Sequence, residues 1–357
     1  MSESEAKVLT TQARHAVNAR TVIRAKSPLR ISFVGGGTDL PHYYREHGGA
    51  VLSSTVNMYS HVTLTPREDH NISIRSLDFG QAAHFKVNEE PEFDGVLDLA
   101  KAAVRRMGTV VGAELDVYTQ APAGSGLGGS SAVTSAIIGA LSEFTGVVMT
   151  PYEFAELNYR IEREDLGIGG GKQDQYATTF GGFNVLEFLS DRVIVTPLRV
   201  SPEVLNDLEC HLMLCYTGKV RPKLGLIDKQ VRLYMEGRQS THDAMKRIHA
   251  MVFEMKEALL RGSLYEFGKL LHQAYENKRQ MNPHASDRDI DALYQLALDN
   301  GAIGGKLCGA GGGGYLLLFV EAFRRNDVRQ ALENAGGEFT DFSFDDHGLQ
   351  VWRSTCR

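Results

Sequence analysis

The sequence predicts an α+β protein of two domains, and three observations carry that reading. Its 357 residues exceed the usual single-domain range, so two domains meeting at an interface are expected. The first third reads as β-branched runs bounded by turn residues, whereas the second half is rich in helix-start signals. Glycine is bunched at 35–37, 124–129, 167–171, 181–182 and 304–314, which points to a site lined by backbone.

Taken in order, residues 51–65, 72–76 and 115–119 read as strands. A helix is expected after residue 129, with Val133, Ala136, Ile137, Ala140, Leu141 and Phe144 as its apolar face. Thr150, Pro151 and Glu153 combine a capping box with proline at the first helical position, predicting a helix to about residue 165. Ser263 and Glu266 repeat the capping box after the breaker Gly262. Residues 286–289 offer an acidic version before a helix ending near Gly301. Strands are expected at 211–217 and 315–320. A composition shift over 192–208 places the domain boundary near residue 200, giving a flexible tail (1–26), a first domain (27–200) and a second (201–357).

Composition narrows the function classes. Apolar residues at 43% and charged residues at 23% are ordinary globular usage. A net charge of −6 with dispersed Lys and Arg argues against a nucleic-acid partner. The longest apolar run of the C-terminal third, 316–320, falls far short of the roughly 20 residues that cross a bilayer, so no membrane partner is expected. Four cysteines without a C-x-x-C pair signal neither zinc nor a disulfide framework, and a reducing cytoplasm fits them. The acid-poor, Arg-rich stretch after Glu5 leaves a transit peptide open beside the tail reading. A homodimer is also left open.

Residues 121–132 form a glycine-rich loop between a strand-like segment and a helix. In such a loop backbone N–H groups close around phosphate oxygens, and the helix start adds its positive dipole end. Ser130 and Ser131 stand where a hydroxyl reaches phosphate or Mg²⁺. Gly124, Gly126 and Gly129 also satisfy the dinucleotide fingerprint, with Glu143 near the spacing of its ribose-binding acid. The alternating strand before the loop, the place of Glu143 on the same helix and the tandem serines oppose that alternative.

The loop from Pro122 to Ala132 resembles the second signature of the GHMP kinases, with one extra glycine before the serine pair. Residues 27–39 resemble the first signature of that family and residues 306–314 the third, so the likeness runs from about 27 to 320 in family order. The segments 35–40 and 171–182 are similar to the D-glycero-D-manno-heptose 7-phosphate kinases and the related fucokinase kinase domains. The resemblance implies a first domain of the ribosomal protein S5 domain 2 type, a ferredoxin-like second domain and an active site between them.

It also implies roles. ATP would be cradled by Pro122, Gly124, Ser125, Gly126, Leu127, Gly128, Gly129, Ser130 and Ser131. Asp174 falls at the catalytic aspartate, where it would take or orient the acceptor hydroxyl proton. Glu162 matches the Mg²⁺ ligand, with Ser131 or Ser130 as co-ligand; Glu164 and Asp165 compete for the role, and a solvated helix face would also explain them. Arg30 stands where several members carry lysine. Since arginine does not exchange its proton near neutral pH, its part would be electrostatic. Gly36, Gly37, Thr38 and Asp39 would face a sugar, with Gly311 and Gly312 approaching from the second domain. Lys219, Arg221 and Lys223 are candidates for an acceptor phosphate. The implied activity is ATP-dependent phosphorylation of a sugar or sugar phosphate at its anomeric hydroxyl; a neutral-sugar kinase and a non-catalytic sugar sensor are the alternatives.

Overall fold

A computed structural model describes residues 21–220 and 225–355, without the side chains of 219 and 220. Twelve strands are found among them: β1 (Thr21–Val34), β2 (Gly49–Pro66), β3 (Asn71–Ser76), β4 (Gln81–Lys86), β5 (Ala113–Thr119), β6 (Asn184–Phe188), β7 (Val193–Pro197), β8 (Leu212–Val220), β9 (Ala302–Leu307), β10 (Gly313–Val320), β11 (Glu338–Thr340) and β12 (Gln350–Thr355). The helices of the first half are α1 (Pro41–His47), α2 (Asp98–Met107), α3 (Gly129–Thr145), α4 (Pro151–Arg160) and α5 (Gln173–Phe180). Those of the second are α6 (Pro202–His211), α7 (Leu226–Met235), α8 (Gln239–Leu260), α9 (Leu264–Met281), α10 (Arg288–Asp299) and α11 (Arg325–Asn334).

The first half builds an 8-stranded sheet in the order β12-β1-β2-β5-β3-β4. The long β2 pairs β5 along its second half and β6 along its first. Among the described strands only β3 and β5 run parallel. The second half forms a 4-stranded sheet in the order β11-β8-β10-β9. With helices between β8 and β9 and between β10 and β11, that is the ferredoxin-like arrangement.

Two expectations change at the chain's extremes. Thr21 to Lys26 pair with Thr355 to Gln350, so residues 21–26 are strand, not tail; residues 1–20 lie outside the described residues. The same pairing takes the last strand of the expected 201–357 domain into the first sheet. Val56 bridges Phe344 on the way. Apolar packing is continuous across the two halves: Leu29, Ile31 and Phe33 of β1 share one core with Met251, Met255 and Phe267 of α8 and α9. Phe33 meets the edge of Phe267 at a 5.3 Å centroid distance. An interface of this apolar kind holds the halves as one body.

Local signals fared unevenly. Thr150 forms the expected capping box with Glu153, and its helix runs through α4 into a π-helical turn, Ile161–Asp165. Helix α9 starts at the expected place, yet Ser263 makes no side-chain cap. At α10 the cap is Asp287, which accepts from the Asp289 and Ile290 amides, while Ser286 donates to Asp291 instead. Helix α3 is buried almost all round, including Ser131, Thr134, Ser135 and Ile138, because α2 and α5 cover flanks that the periodicity left to solvent. His211 ends α6 rather than opening β8.

Candidate active site

Arg30 is the pivot of the site. It sits in β1 between two register irregularities, at Pro28/Leu29 and Ser32/Val34, where the strand bends away from regular pairing. A surface position is excluded, since the side chain is only 2% exposed. Its Nε and Nη2 reach Asp174 Oδ1 at 2.8 and 2.7 Å, and Nη1 donates to the Gly126 carbonyl at 2.5 Å. One planar cation thereby ties the candidate proton acceptor to the glycine loop.

The loop needs its glycines. Gly124, Gly126 and Gly128 hold φ of 78°, 85° and 77°, in the left-handed region that side chains avoid. A methyl group on Gly126 would stand 2.6 Å from the Cys308 carbonyl oxygen. Gly128 caps α3 without a side-chain acceptor at its first amides, as an anion-binding helix start requires. In the first turn of α3 Ser130 is exposed and Ser131 buried, while Pro122, before the glycines, is exposed. Glu143 pairs with Arg353 at the surface, so the ribose-binding acid of a dinucleotide site is missing.

On one side of Asp174 lies Glu162, wholly buried in the π-helical turn. It accepts from Ser131 Oγ at 2.8 Å and Gln175 Nε2 at 2.7 Å, and Arg163 lies 2.9 Å away. Burial raises its pKa, opposed by Arg163 and the Ser131 hydrogen bond. A π-helical turn re-aims side chains at functional positions, and here it swings Glu162 inward. Of its competitors, Glu164 is exposed and Asp165 binds Arg106 at the surface. A hydroxyl and a carboxylate are hard oxygen donors suited to Mg²⁺, which takes few protein ligands and keeps its waters. The described residues hold no group of three metal-type ligands, so an ion here would rest on Ser131, Glu162 and phosphate oxygens.

On the other side lies the turn 35–39. Thr38 is spent on structure, its hydroxyl bonded to the Gly35 and Ala50 carbonyls and accepting the Ala50 amide. Asp39, 1% exposed, accepts the Gly37 amide at 2.9 Å and the Gln173 amide at 3.2 Å. Burial raises its pKa against the pull of those two amides. Gly36 faces Gln173 and Ser32, and Gly37 faces Gln230 and Met281. The third glycine segment meets the loop through Gly309 and Gly314, which lie against Gly126 and Ser125. Gly311 and Gly312 are buried against Ala285 instead, because their closest packing is within the second half. Lys219 lies in β8 with its side chain outside the described residues, as Arg221 and Lys223 are entirely.

The family patterns for the GHMP kinases N terminal domain and the GHMP kinases C terminal domain match residues 95–182 and 255–338. The chain is 37% identical over 340 residues to a D-glycero-alpha-D-manno-heptose 7-phosphate kinase of Campylobacter jejuni, covering 93% of this chain and 99% of that protein. The chain is a GHMP kinase. It is therefore an ATP-dependent phosphotransferase. A crystal structure of a D-glycero-D-manno-heptose 1-phosphate kinase from Bacteroides thetaiotaomicron superposes with a TM-score of 0.79 at 33% identity, covering 92% of this chain and 98% of that one. An L-fucokinase/L-fucose-1-P guanylyltransferase of Bacteroides fragilis is 28% identical over 93% of this chain, which spans 39% of that longer protein.

Sequence reasoning passed over four residues of this kinase's site. Ser32 reads only as one letter of the first signature, Gln230 carries no local signal, and Arg163 reads as one charge on a mixed helix face. Lys306 read as a motif letter. It is buried, donates to the Ser32 carbonyl at 2.5 Å and has its pKa lowered to about 8 by burial, with Arg30 acting in the same direction.

Proposed function

We propose that this enzyme transfers the γ-phosphoryl group of Mg-ATP to the anomeric hydroxyl of a sugar phosphate, D-glycero-D-manno-heptose 7-phosphate, giving ADP and the 1,7-bisphosphate. The observation that carries the reading is the Arg30 bridge between Asp174 and the Gly126 carbonyl, which sets a carboxylate beside the phosphate loop. Likeness to a heptose 7-phosphate kinase over nearly its whole length supports the acceptor.

Arg30 engages Oδ1 of Asp174 and leaves Oδ2 without a partner among the described residues, so that oxygen accepts the hydroxyl proton. The acceptor oxygen forms a bond to the γ-phosphorus as the bond from that phosphorus to the β,γ-bridging oxygen breaks. Loop amides and Arg30 compensate the charge on the moving group. Mg²⁺, held by Ser131 and Glu162, would neutralise phosphate charge when bound. An anomeric hydroxyl is more acidic than an ordinary alcohol, so modest base help suffices. The product would feed nucleotide-activated heptose and surface polysaccharide synthesis in the cytoplasm. A neutral sugar such as fucose is the second reading, favoured by the fucokinase likeness.

ADP release with Mg-ATP, measured across heptose 7-phosphate, fucose, galactose, mannose and mevalonate, tests this. Turnover confined to heptose 7-phosphate, and reduced about 10²- to 10⁴-fold in Asp174→Asn, is the expected result. Turnover on fucose alone would overturn the phosphorylated acceptor, and undiminished turnover in the variant would remove Asp174 from its role.

A further inference from the structure

Asp39 matches the residue expected to hold sugar hydroxyls, yet its geometry says otherwise. One carboxylate oxygen accepts the Gly37 amide and the other the Gln173 amide. Gly171 packs so closely that a methyl group there would lie 2.0 Å from Oδ2. Its carboxylate is enclosed by backbone, and the Lys172 amide also bonds to the Asp39 carbonyl at 3.4 Å. These bonds join the turn 35–39 to the first residues of α5, one residue before Asp174.

Around the same turn three side-chain atoms show the opposite condition. Ser32 Oγ, Gln173 Oε1 and Gln230 Nε2 are buried and have no hydrogen-bond partner among the described residues. Ser32 is 6% exposed and Gln230 7%. A methyl group on Gly36 would stand 3.4 Å from the Gln173 amide and 3.9 Å from Ser32 Oγ, and one on Gly37 would stand 2.8 Å from Gln230 Nε2. All three therefore converge on the two glycines of this turn, whose bare Cα atoms let the side chains approach so closely. Buried polar atoms in native proteins are nearly always paired, and an exception calls for an explanation, of which a partner brought by a ligand is one. An acceptor, a donor and a hydroxyl that does both match the adjacent hydroxyls of a polyol.

We infer that Ser32, Gln173 and Gln230 read the acceptor's hydroxyls, while Asp39 is a positioning residue that fixes the start of α5 and with it Asp174. This rests on the sugar-kinase reading above and deepens it. Gln230 belongs to α7 in the second half and the other two to the first, so the acceptor is gripped from both halves. Met281 of α9, beside Gly37, closes the cradle with an apolar wall.

The test separates KM from kcat. Gln230→Met and Ser32→Ala each raise the acceptor KM about tenfold, with the change falling on that constant rather than on kcat or the KM for ATP. Asp39→Asn lowers kcat at least tenfold while the calorimetric acceptor Kd moves less than about threefold. An unchanged acceptor KM in both Gln230→Met and Ser32→Ala would overturn the inference. So would an Asp39→Asn enzyme whose acceptor Kd weakens tenfold with kcat intact. If the wild type turns over no sugar, the kinase reading fails by itself. Calorimetric titration of the same sugars into wild type and Gln230→Met then decides the inference: weaker binding in the variant upholds it, and equal binding or no heat sinks it.

Discussion

Two buried carboxylates flank Asp174, and the protein treats them differently. Asp39 is held by backbone amides and Glu162 by side chains, those of Ser131, Gln175 and Arg163. Backbone donors are fixed by the fold and cannot leave, whereas hydroxyl, amide and guanidinium groups can turn away as an ion or a phosphate arrives. The side of Asp39 is thus rigid around its acid, and the side of Glu162 is able to exchange partners. Both carboxylates have pKa values raised by burial, so burial alone does not distinguish them; the kind of donor does.

Glu162→Gln should break this contrast most sharply. On the proposed role of Glu162 as a Mg²⁺ ligand, its loss lowers kcat by about 10- to 100-fold at ordinary Mg²⁺, and the deficit shrinks as Mg²⁺ is raised. The Asp39→Asn deficit stays constant over the same titration. Parallel responses of the two variants in initial-rate assays would erase the distinction between them.

A smaller effect concerns Lys306, the buried ammonium on the acceptor side. Its folded-state pKa of about 8 lies below the unfolded value, so the unfolded chain binds more protons between about pH 8 and 10.5. The penalty of burying the charge is therefore full below pH 8 and relieved above it. Lys306→Met should unfold at higher denaturant than wild type at pH 7, by about 3 kcal/mol at most. Its advantage should dwindle as the pH approaches 10; a constant advantage would mean that the lysine is not titrating there.

The smallest effect sharpens the comparison from a distance. Thr150→Ala removes the capping box of α4, the helix that leads into the turn bearing Glu162. A loss of about 1 kcal/mol, or about 2 °C in Tm, is expected by calorimetry, with the Mg²⁺ dependence unchanged. An altered Mg²⁺ dependence would show that the exchangeable side is tuned from the far end of α4.

Much of this was legible because its causes are local. Glycines at positive φ in the loop, a capping box at Thr150 and alternation in β5 are written into a few neighbouring residues. Asp174 and Glu162 were found by their place in a family pattern, and the structure brings both to the glycine loop through Arg30 and Ser131. What stayed hidden depends on distant partners. Gln230 matters only because Gly37 lies against it, and the second backbone bond to Asp39 comes from the amide of Gln173, far along the chain. The uncapped start at Ser263 shows the reverse error, where a fitting local pattern goes unused because Ser263 holds a ψ of 62°, outside the extended region a capping residue adopts.

The pairing of β12 with β1 carries a consequence for how the molecule comes into being. Residues 21–26 emerge first among the described strands, and their partner at 350–355 is the last of those strands to be made, so this edge of β1 waits, unpaired, until every other described strand has been synthesised. Contacts so distant in sequence form slowly, and an open strand edge is a template for wrong pairing. The nascent chain would thus pass through a vulnerable interval in which its nucleotide-binding half is largely made yet not sealed, and a chaperone that shields strand edges would act on it then.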